Sequence, residues 1–265
     1  KIKSHNHKRI FYAETNYDND EISSVIDVLT NQPHALVGGT YTMKFENEIS
    51  KLFGKKYGIF VNSGSSANLL ALKSLNLKKG SEVITPCLNF STTVSPIIQL
   101  GLIPNFIDID LNTLNINTNL IEESINKNTS ALMIPNLMGN LPNWTKLREV
   151  ASKYSLSLIE DSADTLGYKY NNETTGNISD LVTTSFYASH IITCGGIGGM
   201  VCTNSEDLYK KMIVNRGWGR SSELYYPDKN LLSKKEINER FEVKIDKVSY
   251  DRKFLFEDTG YNFFA

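Results

Sequence analysis

Cysteine is scarce: the 265 residues contain three, Cys87, Cys194 and Cys202. Three thiols so far apart exclude a disulfide framework and predict a reducing, cytoplasmic setting. No apolar run approaches the roughly 18 residues of a membrane span. The least charged stretch, Ile191 to Thr203, is short and rich in glycine. The basic N-terminus, Lys1 to Arg9, is followed by no apolar signal core. Neither sign of charge is in excess, because 28 Lys and Arg stand against 29 Asp and Glu, a formal charge of −1. That balance removes the bulk electrostatic case for nucleic acid or an anionic membrane as partner. With 40% hydrophobic and 22% charged residues, the composition is that of a globular chain and not of a disordered one.

Short apolar, β-branched runs recur at Tyr57–Val61, Glu82–Thr85, Ile103–Asp108, Ala131–Pro135, Leu156–Glu160, Thr183–Tyr187 and Gly199–Thr203. Helical patterns lie between the earlier ones, at Ser65–Leu75, Thr92–Leu100, Leu120–Asn126 and Asn143–Tyr154. Two more precede the first run, around Asp20–Leu29 and Met43–Phe53. This alternation predicts an α/β fold, a mostly parallel seven-stranded sheet with helices on both faces. After Arg220 the texture changes, and Leu224–Asp258 is charged and weakly periodic. The expected organisation is a large domain over residues 1–220 and a separate excursion over 221–265.

In open α/β sheets ligands sit beyond the carboxyl ends of the strands. Directly after the first predicted strand comes Asn62-Ser63-Gly64-Ser65-Ser66-Ala67-Asn68, opening a helix. Small residues there let a backbone approach a phosphate, and free N–H groups at a helix start favour one. A simple capped turn would look the same. No Gly-Lys-Ser/Thr follows, so a Walker loop is excluded. Another strand runs into Glu160-Asp161-Ser162-Ala163-Asp164. A carboxylate at that point can hold a cationic ring nitrogen, or merely cap a helix. Ser185-Phe186-Tyr187-Ala188-Ser189-His190 follows a third strand, and His190 is the one histidine outside the N-terminal portion. A base titrating near neutrality beyond a strand end suits proton abstraction, although packed or surface histidines are commoner. The run Gly195-Gly196-Ile197-Gly198-Gly199 marks a tight loop.

Taken in order, Phe45-Glu46, Asn62–Ala67, Gly80 to Pro86, Asp108-Ile109-Asp110, Glu160-Asp161, Gly198-Gly199 and Gly260-Tyr261-Asn262 carry a resemblance. From about Ile10 onward the chain resembles the DegT/DnrJ/EryC1/StrS sugar aminotransferases, which share the fold type I pyridoxal-phosphate architecture. The resemblance implies that Gly64, Ser65 and Ser185 hold the cofactor phosphate. It also implies that Phe90 stacks on the ring, that Asp161 pairs with the ring nitrogen and that Asp164 is among the residues binding the cofactor. Asn262 would reach the phosphate of a partner subunit, so a homodimer with shared active sites is implied. The same resemblance implies that the C-terminal domain is largely absent. The chain would then be cut within the Gly260-Tyr261-Asn262 segment, consistent with a start at Lys1 and not at Met.

His190 is the important departure. Aminotransferases of the family place their cofactor-bearing lysine there, and no lysine lies between Lys169 and Lys210. Imidazole cannot take over that covalent role. Histidine in this setting, with Asp164 where aminotransferases usually carry Gln or His, resembles the nucleotide-sugar 3-dehydratase branch of colitose and ascarylose type. The implied activity is C3 deoxygenation of a nucleotide-linked 4-keto-6-deoxyhexose with pyridoxamine or pyridoxal 5′-phosphate, and His190 as the catalytic residue. An iron–sulfur centre needs about four thiolates, and no cysteine follows Cys202. Glutamate is therefore the expected amino donor, in place of an electron-transfer partner. An aminotransferase and an inactive cofactor-binding partner subunit are the alternatives. No metal is expected.

Overall fold

Along the chain come α1 (Asn19–Asn31), α2 (Thr40–Leu52), β1 (Tyr57–Val61), α3 (Gly64–Ser74), β2 (Glu82–Pro86), α4 (Ser91–Gln99) and β3 (Ile103–Ile107). A small hairpin of β4 (Ile109–Asp110) and β5 (Asn115–Ile116) and the single turn α5 (Ile121–Ser124) lead on. There follow β6 (Thr129–Pro135), α6 (Trp144–Lys153) and β7 (Ser157–Asp161). A second hairpin, β8 (Lys169–Tyr170) with β9 (Glu173–Thr174), precedes β10 (Leu181–Ser185), β11 (Gly199–Thr203), α7 (Glu206–Arg216) and α8 (Ser222–Tyr225). The last hairpin joins β12 (Val243–Ile245) to β13 (Val248–Tyr250). This is a computed structural model, and it describes residues 11, 15–33, 36–225 and 240–265. The basic Lys1 to Arg9 stretch and the middle of the Leu224–Asp258 excursion lie outside the described residues.

All seven predicted strands pair into one sheet, in the order β1-β11-β10-β7-β6-β2-β3. Only β11 runs antiparallel to its neighbours. The inner strands are buried on both faces, which is why they read as nearly continuous apolar runs, while the edge strand β3 leaves Ile103 and Phe106 exposed. Successive side chains point to opposite faces, and two cores result. Ile59, Val61, Met133, Ile159, Leu181 and Val201 pack with α3, α7 and Ile97 of α4. On the other face Leu132, Ile134 and Leu158 pack with Trp144, Leu147, Val150 and Ala151 of α6. Beside them Val182, Met200 and Cys202 meet Ile49 and Phe53 at the end of α2. Full burial of each such side chain contributes about 1.5–3 kcal/mol, and the two cores fix the sheet between its helix layers.

Two expectations need correction. The strand expected over Thr183–Tyr187 is Leu181–Ser185, because Phe186 is buried among Phe45, Phe60 and Cys194 just beyond the ladder. Its apolarity comes from that packing and not from strand pairing. The helix expected over Leu120–Asn126 is the single turn α5. Helix α7 went unpredicted, although Ser205 caps it by accepting the Leu208 N–H.

Consecutive residues at the end of β7 separate by the same alternation. Ile159 faces the α3 core and Leu158 the α6 core, so Glu160 turns towards α6 and Asp161 towards α3. Glu160 is fully enclosed in a polar network. Asn136 Nδ2 and the Ser162 and Ser179 hydroxyls donate to it, at 3.0, 2.6 and 3.2 Å. Asn136 in turn accepts the Trp144 indole N–H at 2.9 Å. Trp144→Phe keeps most of the packing and removes that donor, leaving a buried acceptor unpaired. The expected loss is about 1–3 kcal/mol, read as a lower midpoint in urea at unchanged slope.

Candidate active site

Five strand ends and the loops after them meet on one side of the sheet. At the first, Ser63 Oγ accepts the Ser66 N–H at 3.1 Å and the Ser63 carbonyl accepts the Ala67 N–H at 3.0 Å. The Ser65 N–H at the start of α3 has no acceptor among the described residues, while the backbone around Ser63 pairs with Gly198, just before β11. Such an unpaired donor at a helix start favours an anion. A Cβ on Gly64 would stand 2.7 Å from Ser185 Cβ, so only glycine lets the end of β10 close under the helix start. A Cβ on Gly199 would meet the Ser63 carbonyl carbon at 2.3 Å. These contacts bring Gly64, Ser65 and Ser185 together as a cradle.

One helical turn along α3, Asn68 reaches the second feature. Its Nδ2 donates to Asp161 Oδ2 at 2.8 Å, and the Thr93 hydroxyl donates to the same oxygen at 2.7 Å. The amide is held the right way round because the Thr183 hydroxyl donates to Asn68 Oδ1 at 2.6 Å. The other Asp161 oxygen takes the Ala163 N–H at 3.2 Å. Burial pushes the Asp161 carboxyl above the usual aspartate range, against the opposing effect of the Thr93 and Asn68 bonds. A buried carboxylate with donors behind it awaits a cation in front. Asn68, Thr93 and Thr183 carried no assigned role in the sequence reading. Their signal was polarity at core positions: Asn68 stands between the buried Ala67 and Leu70 of α3.

The third feature joins His190 and Asp164, which are 26 positions apart in the chain. The imidazole Nδ1 lies 3.5 Å from Asp164 Oδ1. The loop backbone holds the histidine, whose N–H donates to the Tyr187 carbonyl at 3.0 Å. Asp164 Oδ2 accepts the Met138 N–H at 3.0 Å, from the turn after β6. That turn carries Met138 at φ 55° and Gly139 at φ 82°.

Phe90, the residue before α4, is 67% exposed on the rim. Asn262 is exposed too. It pairs with Gly217 in an isolated bridge beside a contact in which the Asn62 N–H donates to the Phe263 carbonyl at 3.0 Å. The end of the 221–265 stretch therefore returns to the start of the cradle. Among the described residues no cluster of three or more His, Cys, Asp or Glu could hold a metal. Cys202 is buried, and burial pushes the half-buried Cys194 thiol up to about 11. No helix among the described residues is long and apolar enough to cross a membrane.

Known proteins share this fold. The DegT/DnrJ/EryC1/StrS aminotransferase family profile matches residues 15–239. The lipopolysaccharide biosynthesis protein RfbH of Salmonella typhimurium is 39% identical over 86% of this chain and 53% of its own length. The GDP-4-keto-6-deoxy-D-mannose 3-dehydratase of Escherichia coli O55:H7 is 33% identical over 94% of this chain and 62% of its own. A solved structure of the E. coli GDP-4-keto-6-deoxy-D-mannose-3-dehydratase with bound hydrated PLP superposes at a TM-score of 0.81, with 30% identity. The match covers 95% of this chain and 62% of that one. The chain thus spans between half and two thirds of the length of these relatives. Its fold is that of the fold type I pyridoxal-phosphate enzymes. The chain belongs to the DegT/DnrJ/EryC1/StrS aminotransferase family.

Proposed function

We propose that this chain is the cofactor-binding part of a 3-dehydratase that removes the C3 hydroxyl of a nucleotide-linked 4-keto-6-deoxyhexose, in the cytoplasm. The cofactor would be pyridoxamine 5′-phosphate, interconverting with pyridoxal 5′-phosphate, and glutamate the amino donor. Residues 1–220 would form its domain, and 221–265 would lead towards the rest of the protein. A second copy of the chain would complete the site through Asn262. One observation carries the reading: the base over the site is His190, backed by Asp164 at 3.5 Å, where an aminotransferase of the family needs a lysine. The one deeply buried lysine among the described residues, Lys55, is committed elsewhere. Its Nζ donates to the Ser179 carbonyl at 2.6 Å, on the Glu160 side of the sheet. Relatives named as 3-dehydratases support the same reading.

The donor set fits the cofactor. The helix start at Gly64 and Ser65 beside the Ser185 hydroxyl suits a phosphate, and the Asp161 carboxylate suits a protonated ring nitrogen. When bound, pyridoxamine phosphate supplies a primary amine for the sugar ketone and a protonated ring that withdraws electrons. Gly64, Ser65 and Ser185 anchor the phosphate, Phe90 covers the ring, and Asp161 keeps the proton on the ring nitrogen. His190 moves the other proton. Its unprotonated ring nitrogen would be the acceptor for a proton taken from carbon, and the imidazolium so formed the donor to the departing C3 hydroxyl, which leaves as water.

The test incubates the protein with pyridoxamine phosphate, glutamate and a panel of nucleotide 4-keto-6-deoxysugars, with products read by mass spectrometry. A 3-deoxy product is expected. An amino sugar would point to an aminotransferase, and cofactor binding without any turnover to an inactive partner subunit.

A further inference from the structure

We infer that Asp164 is a positioning residue that acts through His190, fixing which imidazole nitrogen carries the proton, and does not act on the cofactor itself. Both of its oxygens face groups of the protein. Oδ2 accepts the Met138 N–H at 3.0 Å, and Oδ1 faces His190 Nδ1 at 3.5 Å. An ionised carboxylate only accepts, so the group facing Oδ1 is favoured as a donor. The proton is therefore held on Nδ1, and Nε2 becomes the nitrogen with the free lone pair. At 3.5 Å the contact is longer than a formed hydrogen bond, as catalytic pairs commonly are before substrate binds. His190's base role, on which the kinetic consequence rests, is that of the proposed dehydration.

Three separate loops build this pair. Met138 comes after β6, Asp164 after β7 and His190 after β10. Met138 adopts its left-handed conformation, φ 55°, which is unfavourable for a residue with a Cβ. The turn directs its N–H at the carboxylate. Strain retained in a loop that aims one donor at one carboxylate is the pattern expected where geometry matters more than stability.

The Met138 N–H also makes the isosteric variant informative. In Asp164→Asn the backbone donor requires the amide oxygen at the Oδ2 position. The amide NH2 is then left facing His190 Nδ1, which must become the acceptor. The imidazole proton moves to Nε2, the wrong tautomer for a base. The fold and the Met138 bond are preserved, so the variant isolates the tautomer.

The measurement is nitrogen NMR of 15N-histidine-labelled protein without cofactor, at a pH where imidazole is neutral. His190→Gln identifies the His190 signals among the four histidines. Wild type is expected to show the Nδ1–H tautomer and Asp164→Asn the Nε2–H tautomer. The same tautomer in both would overturn the assignment. In turnover, Asp164→Asn should lower kcat by about 10²–10⁴-fold, the range open to a positioned general base. KM and pyridoxamine-phosphate affinity should stay within about twofold. Loss of cofactor affinity instead would place Asp164 on the cofactor and overturn the positioning role. Should wild type dehydrate no sugar on the panel while the tautomer swap is observed, the dehydratase reading fails and the positioning role stands.

Discussion

Replacing His190 with glutamine is expected to lower the dehydration rate by about 10²–10⁴-fold, which is what a positioned acid–base group contributes. Cofactor retention should be almost unchanged, because the cradle of Gly64, Ser65 and Ser185 and the Asp161 carboxylate lie on other elements. Glutamine keeps the size and one hydrogen-bonding end of histidine but exchanges no proton near neutrality. The loss should appear in kcat, with KM little changed, since the step removed is proton transfer and not binding. His190→Lys examines the same position from the other side. An amine there is expected to hold pyridoxal phosphate in a borohydride-reducible adduct and to abolish dehydration. Wild type should give no such adduct. Unchanged dehydration in either variant would remove His190 from catalysis, and a reducible lysine adduct in wild type would remove the dehydratase reading with it.

The sheet was legible in the sequence because its inner strands are buried on both faces. Leu158 and Ile159 serve opposite cores, so apolar residues stand side by side in the strand. Legibility ended where apolarity had another cause, as with Phe186, buried by loop packing beyond β10. Of the site, the titratable residues at and beyond strand ends were visible singly: Asp161, Asp164 and His190. Their partnership was not. The Asp164–His190 contact joins residues 26 positions apart across two loops, and the Met138 N–H that orients it is a backbone group with no sequence signature. The network behind Asp161 was within reach in principle, since Asn68 and Thr183 are polar residues at core positions. Their geometry needed the packing of α3 on the sheet.

Asp161→Asn separates what this carboxylate does for catalysis from what it costs the fold. Turnover should fall by about 10²–10³-fold, the scale of removing one preorganised electrostatic partner, because an amide does not hold the ring nitrogen's proton. Stability should move the other way in the cofactor-free protein. Burial raises the Asp161 pKa, so the native state binds that proton more tightly than the unfolded chain does. The group's stabilising contribution is then complete below the unfolded value, about 3.9. It is lost as pH rises through the raised folded value. Asparagine titrates nowhere in this range. Its carbonyl can occupy the Oδ2 position and accept from Asn68 and Thr93, forfeiting only the longer Ala163 contact at 3.2 Å. The melting temperature of Asp161→Asn relative to wild type should therefore climb from pH 4 towards neutrality, about 3 pH units above the unfolded value. A flat difference would mean that Asp161 ionises in the native state at no cost. Bound cofactor should reverse the order, because a protonated ring nitrogen gives the wild-type carboxylate the opposite charge that its burial lacks. The residue is thus a destabilising charge kept for its partner, and the crossing of the two melting curves on cofactor addition is the signature to look for.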